Sequence, residues 1–277
     1  MNGVSSPPAR CVLSIAFVAV LSHPVWAVAQ DEVTYVARDF TFTGPDAIAA
    51  GMVPVRLRNE GRDLHQIQFI KLPTGKTAAD FTAQINADPS RMPSWVQRRG
   101  GPNSVAPGEQ ALAFIGLEPG DYVLICGIPD SQGMPHLARG MLKSVKVLAG
   151  GARSNSPPAT DLTITAVDFR FELSGPITAG SHIVRVVNNG SQPHEVVVVR
   201  LSPDASADDF LNAFRPGVAV SPAGHPVGGL VGIDPGRDGF FRMNFAAGNY
   251  GLICFLPDIT RGAPHFTRGM MMDISVR

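Results

Sequence analysis

Cysteine is scarce in this chain. There are three in 277 residues, and Cys11 lies in an apolar run near the N-terminus, so Cys126 and Cys254 are all that the rest of the chain holds. That excludes a disulfide-dense scaffold. Net charge is missing too: 23 Lys and Arg balance 23 Asp and Glu, with no basic run and no acidic tail. A nucleic-acid-binding stripe and a solvating arm are thereby excluded. Beyond the first thirty residues no apolar stretch is long enough to cross a bilayer. There is also no nucleophile elbow, phosphate loop or zinc-protease helix. Glycine and proline, by contrast, are plentiful at 29 and 24. With short, β-branched apolar runs between them, they predict many short strands joined by turns.

The first segment has the layout of a secretory signal peptide. Arg10 supplies positive charge, Cys11 to Leu21 is apolar, and Ala27-Val-Ala29 is a small-x-small site before Gln30. A leader over 1–29, cut after Ala29, predicts an exported protein, periplasmic or extracellular, with no stable membrane insertion once the leader is gone. In an oxidising compartment Cys126 and Cys254 could form one disulfide.

From Gln30 onward the chain repeats itself. At an offset of 129, Asp39-Phe-Thr-Phe42 meets Asp168-Phe-Arg-Phe171, Asn59-Glu-Gly61 and His65 meet Asn188-Asn-Gly190 and His194, and Asp80-Phe81 meets Asp209-Phe210. At Pro107-Gly108 against Pro235-Gly236 the offset becomes 128, which keeps Cys126 on Cys254. One extra residue then restores 129, so His136 meets His265 and Met141 meets Met270. This is a tandem duplication. It divides the chain into a first domain over 30–148, a Gly/Ser/Pro linker over 149–159 and a second domain over 160–277. Cysteines at matching places of two repeats favour two free thiols, each with a local task, over one bridge.

Each unit reads as mostly strand. Val53, Val55 and Leu57 alternate with Pro54, Arg56 and Arg58, and His194 opens a valine-rich run to Leu201. Thr77-Ala-Ala-Asp80 and Ser206-Ala-Asp-Asp209 predict one capped short helix per unit, anchored by Phe81 and Phe210. The fold class expected is all-β: two tandem Greek-key β-sandwiches, each with one short helix.

The chemistry gathers late in each unit. Tyr122-Val-Leu-Ile-Cys126 is followed by His136 and Gly140-Met141, and Tyr250-Gly-Leu-Ile-Cys254 by His265 and Gly269-Met270. Thiolate, imidazole and thioether are the soft and borderline donors that copper prefers. An early Asn-x-Gly-x-x-x-His, a late Tyr-x-x-x-Cys strand and His-x-x-x-x-Met together resemble the cupredoxin family of plastocyanin-like, type 1 blue copper proteins. The resemblance covers nearly all of the chain after the leader, twice. The long Cys-to-His loop and the His-x-x-x-Gly-Met ending look most like the copper domain of copper nitrite reductases. The resemblance implies one copper per domain, held by His65, Cys126, His136 and Met141 in the first and by His194, Cys254, His265 and Met270 in the second. Two features depart from the family pattern. Gln66 and Glu195 stand where members often place an Asn that clamps the residue after the Cys, here Gly127 and Phe255. The loop from Cys126 to His136 is also much longer than in the small electron carriers. Met134 in that loop is read as packing.

Enzymes of this fold carry a second kind of copper. In the nitrite reductases a His directly precedes the Cys, where this chain has Ile125 and Ile253. The His-x-His and His-Cys-His patterns of multicopper oxidases are absent. His182 and His225 are unmatched between the repeats and are expected at a surface or strand edge. The reading is a non-enzymatic electron-transfer protein with two type 1 copper centres and an unidentified redox partner protein. Pro135 and Pro264, each beside a predicted ligand, would furnish apolar docking ground. Two alternatives stand beside this reading: a copper delivery or storage module, and a metal-free tandem sandwich acting as an interaction protein.

Overall fold

The computed structural model describes residues 1, 3, 32–89, 91–150, 155–215 and 217–277. Apart from Met1 and Gly3, the expected leader lies outside the described residues, as does 151–154 of the expected linker. The first unit runs β1 (Val33–Arg38), β2 (Thr41–Thr43), β3 (Ala47–Ala49), β4 (Gly51–Asn59), β5 (Gln68–Lys71), α1 (Ala78–Ala87), β6 (Gln97–Arg98), β7 (Gln110–Leu117), β8 (Gly120–Ile125) and β9 (Leu142–Leu148). The second runs β10 (Leu162–Val167), β11 (Arg170–Leu173), β12 (Gly180–Asn188), β13 (His194–Leu201), α2 (Ala207–Asn212), β14 (Gly224–Ile233), β15 (Asp238–Phe245), β16 (Gly248–Ile253) and β17 (Met271–Val276). This is the all-β fold class expected from the sequence, with one short α-helix in each unit.

Each unit is a sandwich. In the first, the sheet β2-β1-β4-β7 packs on β3-β9-β8-β5-β6; in the second, β11-β10-β12-β15 packs on β14-β13-β16-β17. Alternation along the strands turns Tyr35, Val53, Val55 and Leu57 inward from one sheet and Phe69, Leu124 and Val145 from the other, all of them buried. Tyr35 and Phe69 meet edge to face across the gap, with ring centroids 6.1 Å apart.

The helices are placed by their caps. Thr77 and Ser206 each accept from the backbone N–H three residues on, while Asp80 and Asp209 accept from the cap residue's own N–H. In the first unit Phe81 and Ile85 are then buried against Ile70, Val123, Ile125 and Leu137, on the outer face of the β5–β8 sheet. Burial of each stabilises the fold by about 1.5–3 kcal/mol. In the second unit Phe210 and Leu211 cover Val197, Val199 and Ile253 in the same way. Because neighbouring strand residues face opposite sides, Ile125 and Ile253 point into these helix-covered clusters while Cys126 and Cys254 point into the main core.

The two units are joined more intimately than independent cores would require. β7 and β15 pair antiparallel through Ala113 and Phe241, which makes one eight-stranded sheet of the two outer sheets. The segment 99–105 bridges to β14 at Arg99–Ile233, Pro102–Leu230 and Val105–Val227. Val105 and Leu230, Ala113 and Phe241 belong to a single hydrophobic cluster spanning both units. Glu118 fastens the seam at its edge, accepting from Arg237 of the second unit at 2.8 Å and from Arg99 at 3.0 Å. Burial raises the Glu118 carboxyl, but Arg237 and Arg99 outweigh it and hold it at about 2, against an ordinary value of 4.5. A depressed carboxyl contributes stability above about pH 4.5, and that contribution is lost as the pH falls towards 2. Because Glu118 is half exposed, Glu118→Gln should cost only about 0.5–1 kcal/mol at neutral pH. Urea titrations of the two proteins between pH 7 and 2 should converge at the acid end. A gap that stays constant with pH would refute the ionic account.

Candidate metal centres

The motif Asn-x-Gly-x-x-x-His acquires a physical meaning in the fold. Asn59 closes β4: its Oδ1 accepts from Gly61 N at 2.9 Å, and its Nδ2 donates to Asp63 O and Val105 O at 2.8 and 2.9 Å. Val105 in turn exchanges both backbone hydrogen bonds with His65. Asn188 repeats this with Gly190 N, Gln192 O and Ile233 O, and Ile233 pairs with His194. The first histidine of each unit is thus held at or just before the start of the strand, β5 or β13, that pairs with the cysteine strand.

The long loops fold back on themselves. Pro129 bridges Pro135, and the Asp130 carboxylate accepts from Gln132 N and Met134 N at 2.8 and 2.9 Å and pairs with Arg139. In the second unit Pro257 bridges Pro264 and Asp258 does the same with Thr260 N and Arg268. The extra length is taken up in this small hairpin, so Cys and His still meet. Each loop ends in a 3-10 turn, His136–Arg139 and His265–Arg268, whose first residue is the second histidine. Gly140 and Gly269 stop the turn in the left-handed region at φ 97° and 95°, which β-carbons resist. Met141 N then donates to His136 O and Cys126 N to Met141 O, and Met270 repeats both bonds. All eight predicted ligand residues are fully buried.

Two clusters result: His65, Cys126 and His136, and His194, Cys254 and His265, the donor atoms in each lying within 4.8 Å of one another. Cys126 Sγ is 3.5 Å from His136 Nδ1 and 4.0 Å from His65 Nδ1. Cys254 Sγ is 3.3 Å from His265 Nδ1, and the two Nδ1 atoms of His194 and His265 are 3.1 Å apart. Both cysteines are free, so the disulfide alternative does not arise here. Backbone N–H groups of Gln66 and Ile128 point at Cys126 Sγ, and those of Glu195 and Leu256 at Cys254 Sγ.

The outward nitrogens of His65, His194 and His265 fix their tautomers. His65 Nε2 donates to Asp39 Oδ1 at 3.2 Å and His194 Nε2 to Asp168 Oδ1 at 2.8 Å, since a carboxylate only accepts. His265 Nε2 donates to Gln192 Oε1 at 3.0 Å, while His136 Nε2 is buried without a protein partner. A proton on Nε2 leaves the Nδ1 lone pair facing the sulfur. Burial pulls all four imidazoles below their ordinary value, His265 to about 4 with His194 beside it, so they are neutral at pH 7. Burial also pushes the Cys126 thiol up to about 12, and the Cys254 thiol upward likewise. In the closed core one thiol proton can serve only one of two inward Nδ1 lone pairs, whereas a soft cation engages both nitrogens and the sulfur together. The set of two imidazoles and one thiol, with a buried Met against the cysteine backbone, fits one copper ion per unit.

The eight candidate ligand positions stand out in the sequence, whereas the residues that orient them do not. Asp39 and Asp168 hold the first histidines. Phe40 and Phe169 follow them at φ 63° and 68°, a region costly for a bulky side chain, and stand edge-on to His136 and His265 with centroids 5.2 and 5.4 Å away. The signal was the repeated Asp-Phe-x-Phe, recognised as a repeat and assigned no task. Gln192 was also missed, because its counterpart in the first unit is Asp63. Although Glu195 stands in place of the Asn, the residue after Cys254 is still clamped: Glu195 Oε1 accepts from Phe255 N at 3.1 Å. In the first unit the Gln66 amide lies against Gly127. His182 and His225 lie on β12 and β14, outside both clusters.

Gly61 offers a direct test of the orienting bond. A β-carbon there would fall on both Asp39 Oδ1 and His65 Nε2. Gly61→Ala should therefore displace the His65 ring and weaken metal binding in the first unit by about 10–100-fold, as loss of an orienting partner does. Competition with a chelator measures this. Unchanged affinity would show that Asp39 does not orient the ligand.

No family model matches the chain, and no curated protein matches it. Solved structures do. Reduced auracyanin from Roseiflexus castenholzii is 16% identical over 42% of this chain and 94% of its own, with a TM-score of 0.30. Auracyanin A, a "blue" copper protein from Chloroflexus aurantiacus, is 17% identical over 43% and 98%, with a TM-score of 0.29. Copper nitrite reductase from Nitrosomonas europaea is 16% identical over 89% and 93%, with a TM-score of 0.24.

Proposed function

We propose that this protein is an exported electron carrier holding two copper ions, one per unit, with no catalytic copper. The observation that carries the reading is the duplicated convergence of two Nδ1 atoms and one Sγ in a fully buried core. His65, Cys126 and His136 would hold one ion and His194, Cys254 and His265 the other, with Met141 and Met270 as weak fourth donors. Bound copper supplies one-electron chemistry, and a His2Cys set with a distant thioether accommodates both oxidation states.

The protein's own part is to hold that set still. Asp39, Asp168 and Gln192 fix ring orientation, the backbone N–H groups hold the sulfur, and the surrounding core excludes water. Rigid ligands change little between oxidation states, which suits electron transfer. Two features argue against catalysis. Ile125 and Ile253 stand where a bridge to a second copper would need His and are packed under α1 and α2. Among the described residues, both three-residue metal-ligating clusters are these two sites. Burial likewise favours a carrier over a delivery protein, because a cargo ion needs an exit.

The test is exchange against cycling. The copper-loaded protein should pass repeatedly between oxidation states with a one-electron reductant and oxidant while keeping its metal in the presence of a Cu(I) chelator. Rapid surrender of Cu(I) to the chelator would favour delivery instead.

A further inference from the structure

The seam between the units is symmetric in its backbone and asymmetric in its side chains. At an offset of 128, Pro102 and Leu230 are equivalent positions, and they bridge each other. Arg99 pairs with Ile233, the equivalent of Val105, and Val105 pairs with Val227, the equivalent of Arg99. The outer sheets obey the same rule: Ala113 pairs with its own equivalent, Phe241. Equivalent edges therefore meet around a local twofold axis, as in an isologous dimer.

Asn103 breaks the symmetry. It belongs to the first unit, is fully buried, and enters the second. Its backbone N–H donates to Gly229 O at 3.2 Å, and its Nδ2 points at Val196 O and Leu230 O at 3.1 and 3.2 Å and at Glu195 Oε2 at 3.4 Å. Glu195 is the residue after His194, and its other oxygen accepts from Phe255 N, next to Cys254. A chain of hydrogen bonds therefore leads from the first unit to the backbone flanking two donors of the second centre. Across the axis the equivalent of Asn103 is Val231, whose side chain offers Gln66 no hydrogen bond.

We infer that Asn103 is a positioning residue of the second metal centre, which is completed by the first unit, whereas the first centre receives no such support. This rests on the metal-binding reading above, since the centre it positions is the one proposed there. A buried carboxyl group with one oxygen on a backbone N–H needs a hydrogen-bond partner for the other. Without Asn103, Glu195 has reason to turn away, and the Phe255 amide loses its acceptor. The strand end at Cys254 is then freer.

The test is Asn103→Val, which copies the residue across the axis, read in two ways. In the metal-free protein, amide exchange at Phe255 should quicken by about tenfold or more relative to Gly127, whether or not copper ever binds. In the Cys126→Ser background, which leaves the second centre, the substitution should move the copper absorption and paramagnetic resonance spectra and speed copper loss by about 10–100-fold. In the Cys254→Ser background, which leaves the first, the spectra should be unchanged. Glu195→Gln, which puts an amide in place of the carboxylate, should reproduce the selective effect if Asn103→Val does not fold. Equal effects at both centres, or unaltered exchange at Phe255, would overturn the inference. A chain that binds no copper yet shows the exchange effect would leave the seam argument standing and remove the metal reading instead.

Discussion

In the Cys126→Ser protein, loading with Cu(II) should leave one copper per chain in place of two and remove about half of the thiolate-to-copper absorption, since each unit contributes one sulfur. Cys254→Ser should do the same, and the double variant should be colourless. The effect is large because a serine hydroxyl is a poor ligand for a soft ion and stays protonated where the thiol does not. Metal binding must offset the burial that raises the Cys126 thiol to about 12. Nothing comparable is available to an alcohol. The metal-free fold should survive, because the change is small in volume, at a cost of about 1–3 kcal/mol for a buried hydroxyl without a good partner. Colour persisting in the double variant would mean that the sulfur ligand lies elsewhere.

Phe241→Ala should be the most damaging single change away from the centres. Phe241 is buried where β15 pairs with β7, in the hydrophobic cluster common to both units. Removing a buried aromatic ring costs about 3–5 kcal/mol. For a chain of this size that lowers Tm by on the order of 10 °C. Because the outer sheets are one sheet and the cores one cluster, the two units should unfold in a single transition that moves as a whole. Calorimetry resolving two transitions, with only the later one shifted, would show that the seam does not couple them.

Much of this was readable from spacing alone. A duplicated pattern reports which positions matter twice over, so His65, His136, Cys126 and their partners stood out before any fold was known. Strand alternation and the two capping boxes likewise depend on local pattern, and Thr77 and Ser206 cap as expected. What escaped has a common cause. Asp39 is 26 residues from His65, and Asn103 is 92 from Glu195. Contacts at that distance along the chain follow from which strands become neighbours, and no local period encodes them. The union of the units escaped for the same reason. A Gly/Ser/Pro linker suggests independent bodies, whereas two sheets that pair with their own equivalents need only matching edges. The Gly100-Gly101 and Gly228-Gly229 pairs were the trace of those edges in the sequence, with meaning only once Gly101 O and Gly229 O were seen accepting across the seam from Val231 N and Asn103 N.

Whether each buried His-Cys-His cluster is a copper centre can be measured directly. The most direct measurement is copper content and visible absorption of the protein after loading with Cu(II) and exhaustive dialysis. Two tightly held copper ions per chain and an intense blue thiolate-to-copper band are expected. A colourless protein that retains no copper would contradict the copper assignment.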